Sequence, residues 1–399
     1  MLLRTFFDAI ELHRDDKFVS ARFLRPFKVI STCPAHGGVT DHLDMVFNHQ
    51  CCEPAGHQMT HLTAAHRQPA QYQAALLTDH DLEDKAAAGL GTAANMHNLC
   101  IAEETYRELA VVAVATGGVE GNAARAGDPA SYYEYDALFH RIGDIGPEKQ
   151  GTINVMLAVN TPLTDGALVR AVMTATEAKA ALLQELSVPS RQSPSIATGT
   201  GTDQIAVMAP ADGATPLGSA GHHSKLGELI ARAVGRAIRD TLVWQNGLSP
   251  NRQCSCGQLL ERFGAGTEAL AARMAELLPD DELAALAGRN RHALDRDPPS
   301  VAATSALIHL YDQVCWQVIP QTCWPEIATQ QAALLAATVS GRFDRLAGYR
   351  DALAARTGTF TPAALVSLAA TALALGFADK WQTTTRRLES VVLSGEASG

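Results

Sequence analysis

Three short runs constrain this chain more than any other feature: Leu109–Thr116 (LAVVAVAT), Thr152–Val159 (TINVMLAV) and Asp203–Met208 (DQIAVM). A strand that alternates apolar and polar residues can turn one face to water. A run with little alternation has no solvent face and must be covered on both sides. Each of the three therefore reads as a buried strand. Between and after them lie Asp165–Leu186 and Ser224–Leu242, two long stretches with helical periodicity. Earlier, Phe18–Ile30 alternates and ends in Ser31-Thr-Cys-Pro-Ala-His-Gly-Gly38, which reads as a strand pair leading into a loop. Residues 82–108 read as a helix broken by Gly89-Leu-Gly91, whereas residues 50–75, rich in His, Gln and Ala, give no assignment. After the breaker cluster Asn246-Gly-Leu-Ser-Pro-Asn251 the chain is rich in Ala and Leu at helical spacing, punctuated by Pro298-Pro299, Pro320 and Pro325. The predicted fold class is α/β, a layered mixed sheet with packed helices over residues 1–245, followed by an all-helical region over 252–399.

With 399 residues, 47% apolar and 19% charged, the chain can build more than one core. A net charge of −10 argues against a nucleic-acid partner, whose phosphates need basic patches, and leaves a small molecule as the expected partner. The N-terminus is interrupted by Arg4, Asp8, Glu11, Arg14 and Asp15, so it does not read as a signal peptide. The apolar stretch Ala363–Ala378 reads as too short to cross a membrane. The eight cysteines form no CxxC pair and read as free thiols in a reducing compartment. A cytoplasmic protein without a membrane contact and without a metal centre is expected; the oligomeric state is not legible.

Several motifs carry chemistry. Ala197-Thr198-Gly199-Thr200-Gly201-Thr202-Asp203 places two glycines among three threonines. Its backbone N–H groups could form an anion or oxyanion cradle; equally, it could be a tight turn whose hydroxyls satisfy the backbone. On the first long helix, Leu168, Val172, Ala175, Lys179, Leu182 and Leu186 form one apolar stripe with a lysine inside it. Lys179 either snorkels to water or faces a site, and Thr176 and Glu177 lie close by on the same helix. Gly151-Thr152-Ile153-Asn154 begins a buried strand, so Thr152 is either an ordinary β-branched strand residue or a nucleophile. If the chain were cut before it, the new α-amine could serve as its base. Gly221-His222-His223-Ser224 reads as a polar helix start capped by Ser224, or as a pair of proton-transfer groups. The stretch from Asn122 to Asp128 follows a buried strand, a common place for binding groups.

Taken in order, Ser31-Thr with His36-Gly37-Gly38, Gly91–Asn95, Thr116–Asn122, Gly127-Asp128-Pro129, Gly151–Asn154, Thr174–Lys179, Ala197–Asp203 and Ala220–Gly227 resemble the adenosylcobinamide amidohydrolase family over residues 20–245. The resemblance implies hydrolysis of the amide that joins the corrin ring to aminopropanol, giving adenosylcobyric acid. The corrinoid is then the substrate and no cofactor is implied. A fainter resemblance, over Gly151–Leu163 and the following helix and strand, is to the self-processing aminopeptidase/ornithine acetyltransferase fold, in which a Ser or Thr at a strand start attacks an amide. The expected mechanism has Thr152 as nucleophile assisted by a neutral Lys179, with the Thr198–Thr202 loop binding the oxyanion and Glu177 or His223 protonating the leaving amine. A rival has water activated by Asp203 or Glu177. His36, Gly38, Asn122, Asp128, Asn154, Thr176, Thr198, Gly199, Thr200, Gly201, Thr202 and His223 are the expected substrate-binding residues. Two other classes stay open: a corrinoid-binding protein without catalysis, and a self-processing peptidase or acyltransferase.

Overall fold

The computed structural model describes residues 1–51, 67–136, 138–142 and 151–396. The chain divides into two compact units, residues 1–248 and 249–399. The first unit contains strands β1 (Leu2–Phe6), β2 (Ile10–Asp15), β3 (Phe18–Phe23), β4 (Phe27–Ser31), β5 (Gly38–Thr40), β6 (Met45–Gln50), β7 (Ala87–Thr92), β8 (Cys100–Tyr106) and β9 (Leu109–Gly117). They are followed by β10 (Ala123–Ala124), β11 (Tyr132–Tyr135), β12 (Leu138–Arg141), β13 (Ile153–Val159), β14 (Gly199–Thr200) and β15 (Gln204–Pro210). Its longer helices are α1 (Pro69–Asp79), α2 (Asp165–Glu185) and α3 (Lys225–Asn246).

Two sheets carry the unit, in the orders β1-β2-β3-β6-β7 and β5-β4-β15-β13-β9-β8. The second is mixed: β13 and β15 run parallel, while β9 and β4 flank them antiparallel. The period-2 geometry of β13 sends Ile153, Val155, Leu157 and Val159 to one face, where they pack with Leu168, Ala171, Leu182, Ile230, Val234 and Ile238 of α2 and α3. The alternate residues Met156 and Ala158 meet Val19, Val46 and Leu90 of the first sheet. The first sheet turns Phe18, Met45 and Phe47 outward to Leu76 and Leu77 of α1. The unit is thus a helix–sheet–sheet–helix stack, and its three central strands are buried on both faces, as their composition requires.

The first region departs from its sequence reading in two places. Phe18–Ile30 is not a strand pair: β3 joins the first sheet and β4 the second, because the chain crosses between sheets at Leu24–Pro26. Residues 82–108 are not a helix but β7 and β8 joined by a short 3-10 turn at Met96–Asn98. Gly89 marks the reason. It pairs with Phe47 on the parallel neighbour β6, and a Cβ there would sit 2.3 Å from the Phe47 ring. Packing against β6 overrides the helical propensity of the Ala-rich run. Residues 52–66, part of the unassigned His/Gln/Ala stretch, lie outside the described residues.

The second unit is helical among its described residues. Its core joins Pro298–Cys315, Trp324–Ser340 and Pro362–Glu396 through Leu307, Tyr311, Trp324, Ala332, Leu335, Leu365, Leu373 and Phe377. Arg262 and Asp312 form a two-pronged ion pair at 2.9 and 2.5 Å within it. The segment Pro362–Trp381, with mean hydropathy 1.5, is long and apolar enough to cross a membrane, contrary to the sequence expectation; 61% of its most apolar window is buried inside the unit.

Burial also silences thiols. It pushes the Cys33 thiol up to about 11 and the Cys256 thiol up to about 12, so less thiolate exists near neutrality than for an ordinary cysteine. Neither residue should be alkylated by iodoacetamide at pH 8 in the folded protein, and both should label fully in denaturant, as read by peptide mass spectrometry.

Candidate active site

The layers are apolar through most of their depth but become polar at one end. There the inner faces carry Asn48, Gln50 and Thr92 from the first sheet and Ser31, Thr116, Asn154 and Gln204 from the second. Asn154 is fully buried on β13 and donates to Asn48 Oδ1 at 3.0 Å and to the Gly91 carbonyl at 2.9 Å. Asn48 in turn donates to Thr116 Oγ1 at 2.9 Å. The Gly91 N–H donates to Gln204 Oε1 at 2.8 Å. Asn154 and Gln204 satisfy Gly91 at the open edge of β7, which among the described residues has no further strand partner in its sheet. Asn154 is therefore a fully buried clamp between the sheets.

At this same end β13 and β15 begin, and Lys179 reaches them from α2. Its ammonium forms an ion pair with Asp203, the two side chains being only 15% and 13% exposed. The carboxylate is filled on every side. Oδ1 accepts from the Ile153 N–H at 2.9 Å and from Thr200 Oγ1 at 2.5 Å; Oδ2 accepts from Lys179 and from the Thr200 N–H at 3.0 Å. The loop can close this tightly because residue 199 is glycine. A Cβ there would lie 2.6 Å from Asp203 Oδ2 and 3.2 Å from Lys179 Nζ.

Three expectations change with this geometry. Lys179 is ion-paired with Asp203 and, among the described residues, makes no hydrogen bond to Thr152. Asp203 has no open oxygen with which to activate water. The Thr198–Thr202 loop spends its N–H groups internally: Thr198 N–H on the Ala124 carbonyl at 3.0 Å, Thr200 N–H on Asp203, and Gly201 N–H on the Asn122 carbonyl at 3.3 Å. With these three N–H groups in use, the loop is zipped to β10 through β14.

What this loop holds is Thr152. Its Oγ1 lies 2.6 Å from Thr202 Oγ1, and Thr202 Oγ1 donates to the Gly151 carbonyl at 3.0 Å. A hydroxyl has one hydrogen. With the Thr202 hydrogen on Gly151, Thr152 must donate to Thr202. The Gly151 carbonyl accepts a second side-chain donor, Asn122 Nδ2, at 3.1 Å. Thr152 is buried, whereas Gly201 and Thr202 are exposed, so the cluster opens to solvent at its outer side.

The other expected residues lie around this cluster in different roles. Asp128 accepts from the Arg125 N–H at 2.8 Å and from Ser190 Oγ at 2.6 Å, while Thr198 Oγ1 accepts from the Ala126 N–H at 2.8 Å; both pin the loop after β10. Exposed His36 lies in the β4–β5 connection, and exposed Gly38 opens β5 opposite Ser31, at the same end of the sheet. Glu177 lies on the surface, bonded to His222 at 2.5 Å, and exposed Thr176 turns its hydroxyl back to the Val172 carbonyl at 2.9 Å. His223 is exposed in the turn before α3, whose N-cap is Ser224. Among the described residues, neither Glu177 nor Thr176 nor His223 forms a hydrogen bond with Thr152. Among the described residues no group of His, Cys, Asp and Glu is arranged to hold a metal ion. The reading from sequence did not single out Asn48 or Ser190, and it named Thr116 only as the start of the Thr116–Asn122 segment; Asn48 left a trace as the first polar residue after an apolar start to β6.

Residues 3–250 match the family model described as adenosylcobinamide amidohydrolase. An uncharacterized protein of Methanocaldococcus jannaschii, MJ1613, is 41% identical over 180 residues, which is 44% of this chain and 70% of that protein. The PH0078 protein from Pyrococcus horikoshii aligns over 59% of this chain and 78% of its own at 12% identity, with a TM-score of 0.27.

Two stability predictions follow from these contacts. Lys179→Met or Asp203→Asn alone strands a partly buried charge and should lower unfolding free energy on the order of 3 kcal/mol, with the double variant losing less than the sum, in denaturant titrations. At Asp128, burial raises the carboxyl pKa, but the hydrogen bonds from Ser190, Ser193 and the Arg125 backbone outweigh it and hold the group below its ordinary value. Its stabilising contribution is complete above the ordinary aspartate pKa of about 3.9 and is lost as pH falls through the lower folded value. Unfolding curves of wild type and Asp128→Asn should differ at pH 7 and converge toward pH 3.

Proposed function

The chain belongs to the adenosylcobinamide amidohydrolase family, and from that membership and the Thr152 cluster we propose that it hydrolyses the aminopropanol amide of adenosylcobinamide to adenosylcobyric acid. The observation that carries the reading is a buried threonine hydroxyl at a strand start, fixed by a second hydroxyl and opening to solvent beside an amide donor.

In this mechanism Thr152 Oγ1 attacks the amide carbonyl of the substrate. Thr202 orients it by accepting its hydrogen bond, and two side-chain donors lie beside it, Asn122 Nδ2 and the Thr202 hydroxyl, both of which donate to the Gly151 carbonyl and must turn from it to meet the negative charge that develops on the substrate. Collapse of the tetrahedral intermediate breaks the C–N bond and expels aminopropanol, whose nitrogen takes the proton that Thr152 passed to Thr202; water then hydrolyses the ester, releasing the acid and restoring the Thr152 hydroxyl. Lys179 and Asp203 act through position. Their ion pair ties α2, the Ile153 N–H and Thr200 together and so fixes the start of β13 against the loop that carries Thr202. Water activated by Asp203 or Glu177 fits less well, because the first is saturated and the second sits on the surface with His222. The corrinoid is the substrate, and no cofactor enters the proposal.

Purified protein incubated with adenosylcobinamide should yield adenosylcobyric acid, detected by mass spectrometry, at a rate proportional to enzyme. Thr152→Ala should lose on the order of a thousandfold or more in turnover, and Thr152→Ser should keep a measurable rate. Intact corrinoid with folded wild-type protein would overturn the reading.

A further inference from the structure

Among the described residues β11 and β12 form a two-stranded sheet of their own, with no further strand beside them. A lone hairpin is marginal in water unless something packs on it. This one carries aromatic and apolar side chains in the open. Residues directly opposite each other across the strands share a face, as do residues two apart, so Tyr133, Tyr135, Leu138 and His140 stand together on one side. All four are exposed, Tyr133 by 54%, Tyr135 by 66% and Leu138 by 61%. The Tyr133 and Tyr135 rings lie nearly parallel, with 7° between their planes and 6.2 Å between centroids, and the His140 ring lies 6.3 Å from Tyr133. A single exposed apolar residue needs no explanation, whereas a contiguous aromatic face marks a place where something binds.

The hairpin is rooted beside Thr152. The Ile142 N–H donates to the Ser131 carbonyl at 3.0 Å and closes its base. Ser131 follows Asp128 by three residues, a reach of at most about 11 Å. Asp128 is tied to Arg125 and Ser190, in the loop whose Asn122 donates to the Gly151 carbonyl. We propose that the Tyr133–Tyr135 face binds the flat face of the corrin macrocycle while the amide carried by that ring lies at Thr152. The inference deepens the proposed corrinoid reaction and rests on it. The amide is a small appendage of a large substrate. The macrocycle is too large for the buried Thr152 cluster and stays on its outer side, where Gly201 and Thr202 are exposed. A corrin presents broad apolar faces and a rim of amide side chains. Tyrosine suits both, since its ring stacks on the face while its hydroxyl reaches the rim, and it gives up only two side-chain torsions to do so. A second copy of this chain could bury the same face, but only the substrate is tied to Thr152 by its own chemistry.

Two measurements on the full chain test this: steady-state hydrolysis of adenosylcobinamide, and calorimetric titration of adenosylcobinamide into the Thr152→Ala background, where binding is read without turnover. Replacing Tyr133→Ala and Tyr135→Ala together should raise KM and Kd on the order of tenfold or more, the loss falling on KM rather than kcat. Tyr133→Phe with Tyr135→Phe keeps both rings and should lose less. Neither tyrosine belongs to an apolar core, so circular dichroism of both variants should match wild type. Values of KM and Kd within about twofold of wild type in the alanine variant, or a loss confined to kcat, overturn the inference and leave the reaction standing. A phenylalanine variant as impaired as the alanine one overturns stacking as the mode of binding. Wild type that is dimeric by light scattering, with an alanine variant that is monomeric and binds adenosylcobinamide normally, also overturns it, because the face then serves a second copy. Wild type that neither hydrolyses nor binds adenosylcobinamide overturns the proposed reaction, and this inference with it.

Discussion

A single carboxylate, Asp203, organises the active end of the first unit. Its two oxygens take Lys179 from α2, the backbone of Ile153 at the start of β13, and both the N–H and hydroxyl of Thr200. A partly buried charge of this kind is costly unless each lone pair is used. Here every one is used, and each partner lies on a different piece of chain. The same saturation removes Asp203 from chemistry. What remains chemically open is the group it positions indirectly, Thr152, through the loop that carries Thr202.

The stacking of layers explains why this arrangement sits where it does. Two sheets packed face to face are held by apolar side chains through most of their contact. Near the ends of β4, β6, β7 and β9, and the beginnings of β13 and β15, the inner faces turn polar, and hydrogen bonds between Asn154, Asn48, Thr116, Gly91 and Gln204 replace dispersion contacts. The network is not closed: Asn154 Nδ2 is used twice, whereas Asn154 Oδ1, like Ser31 Oγ on the same inner face, has no hydrogen-bond partner among the described residues. The network still sets the first sheet against the second just behind Thr152, so that this residue stands at a fixed strand start.

Much of this was legible in the residues. The three apolar runs read as buried strands and are β9, β13 and β15; the two periodic stretches are α2 and α3; Ser224 caps α3 as its position suggested. Lys179 stood out as a lysine inside an apolar stripe, and its surroundings are as enclosed as that pattern implied. The misreadings share a cause. Residues 82–108 carry helix-forming alanines but lie beside β6, where Phe47 fills the space opposite Gly89. The alternation of Phe18–Ile30 is real, yet nothing local says that its halves belong to different sheets.

By itself, the sequence determined which segments must be buried, where helices begin, and which residue types could carry amide chemistry, because hydrophobic periodicity, caps and glycine spacing are short-range properties of the chain. Tertiary structure alone decided the roles. Asp203 lies 24 residues from Lys179 in sequence, and Thr202 lies 50 from Thr152; only folding shows that the lysine is neutralised by one and that the threonine hydroxyl is held by the other. What a lysine or a loop can still do rests on which lone pairs and N–H groups are already occupied. Occupancy is a property of contacts between distant segments, so no local pattern can encode it.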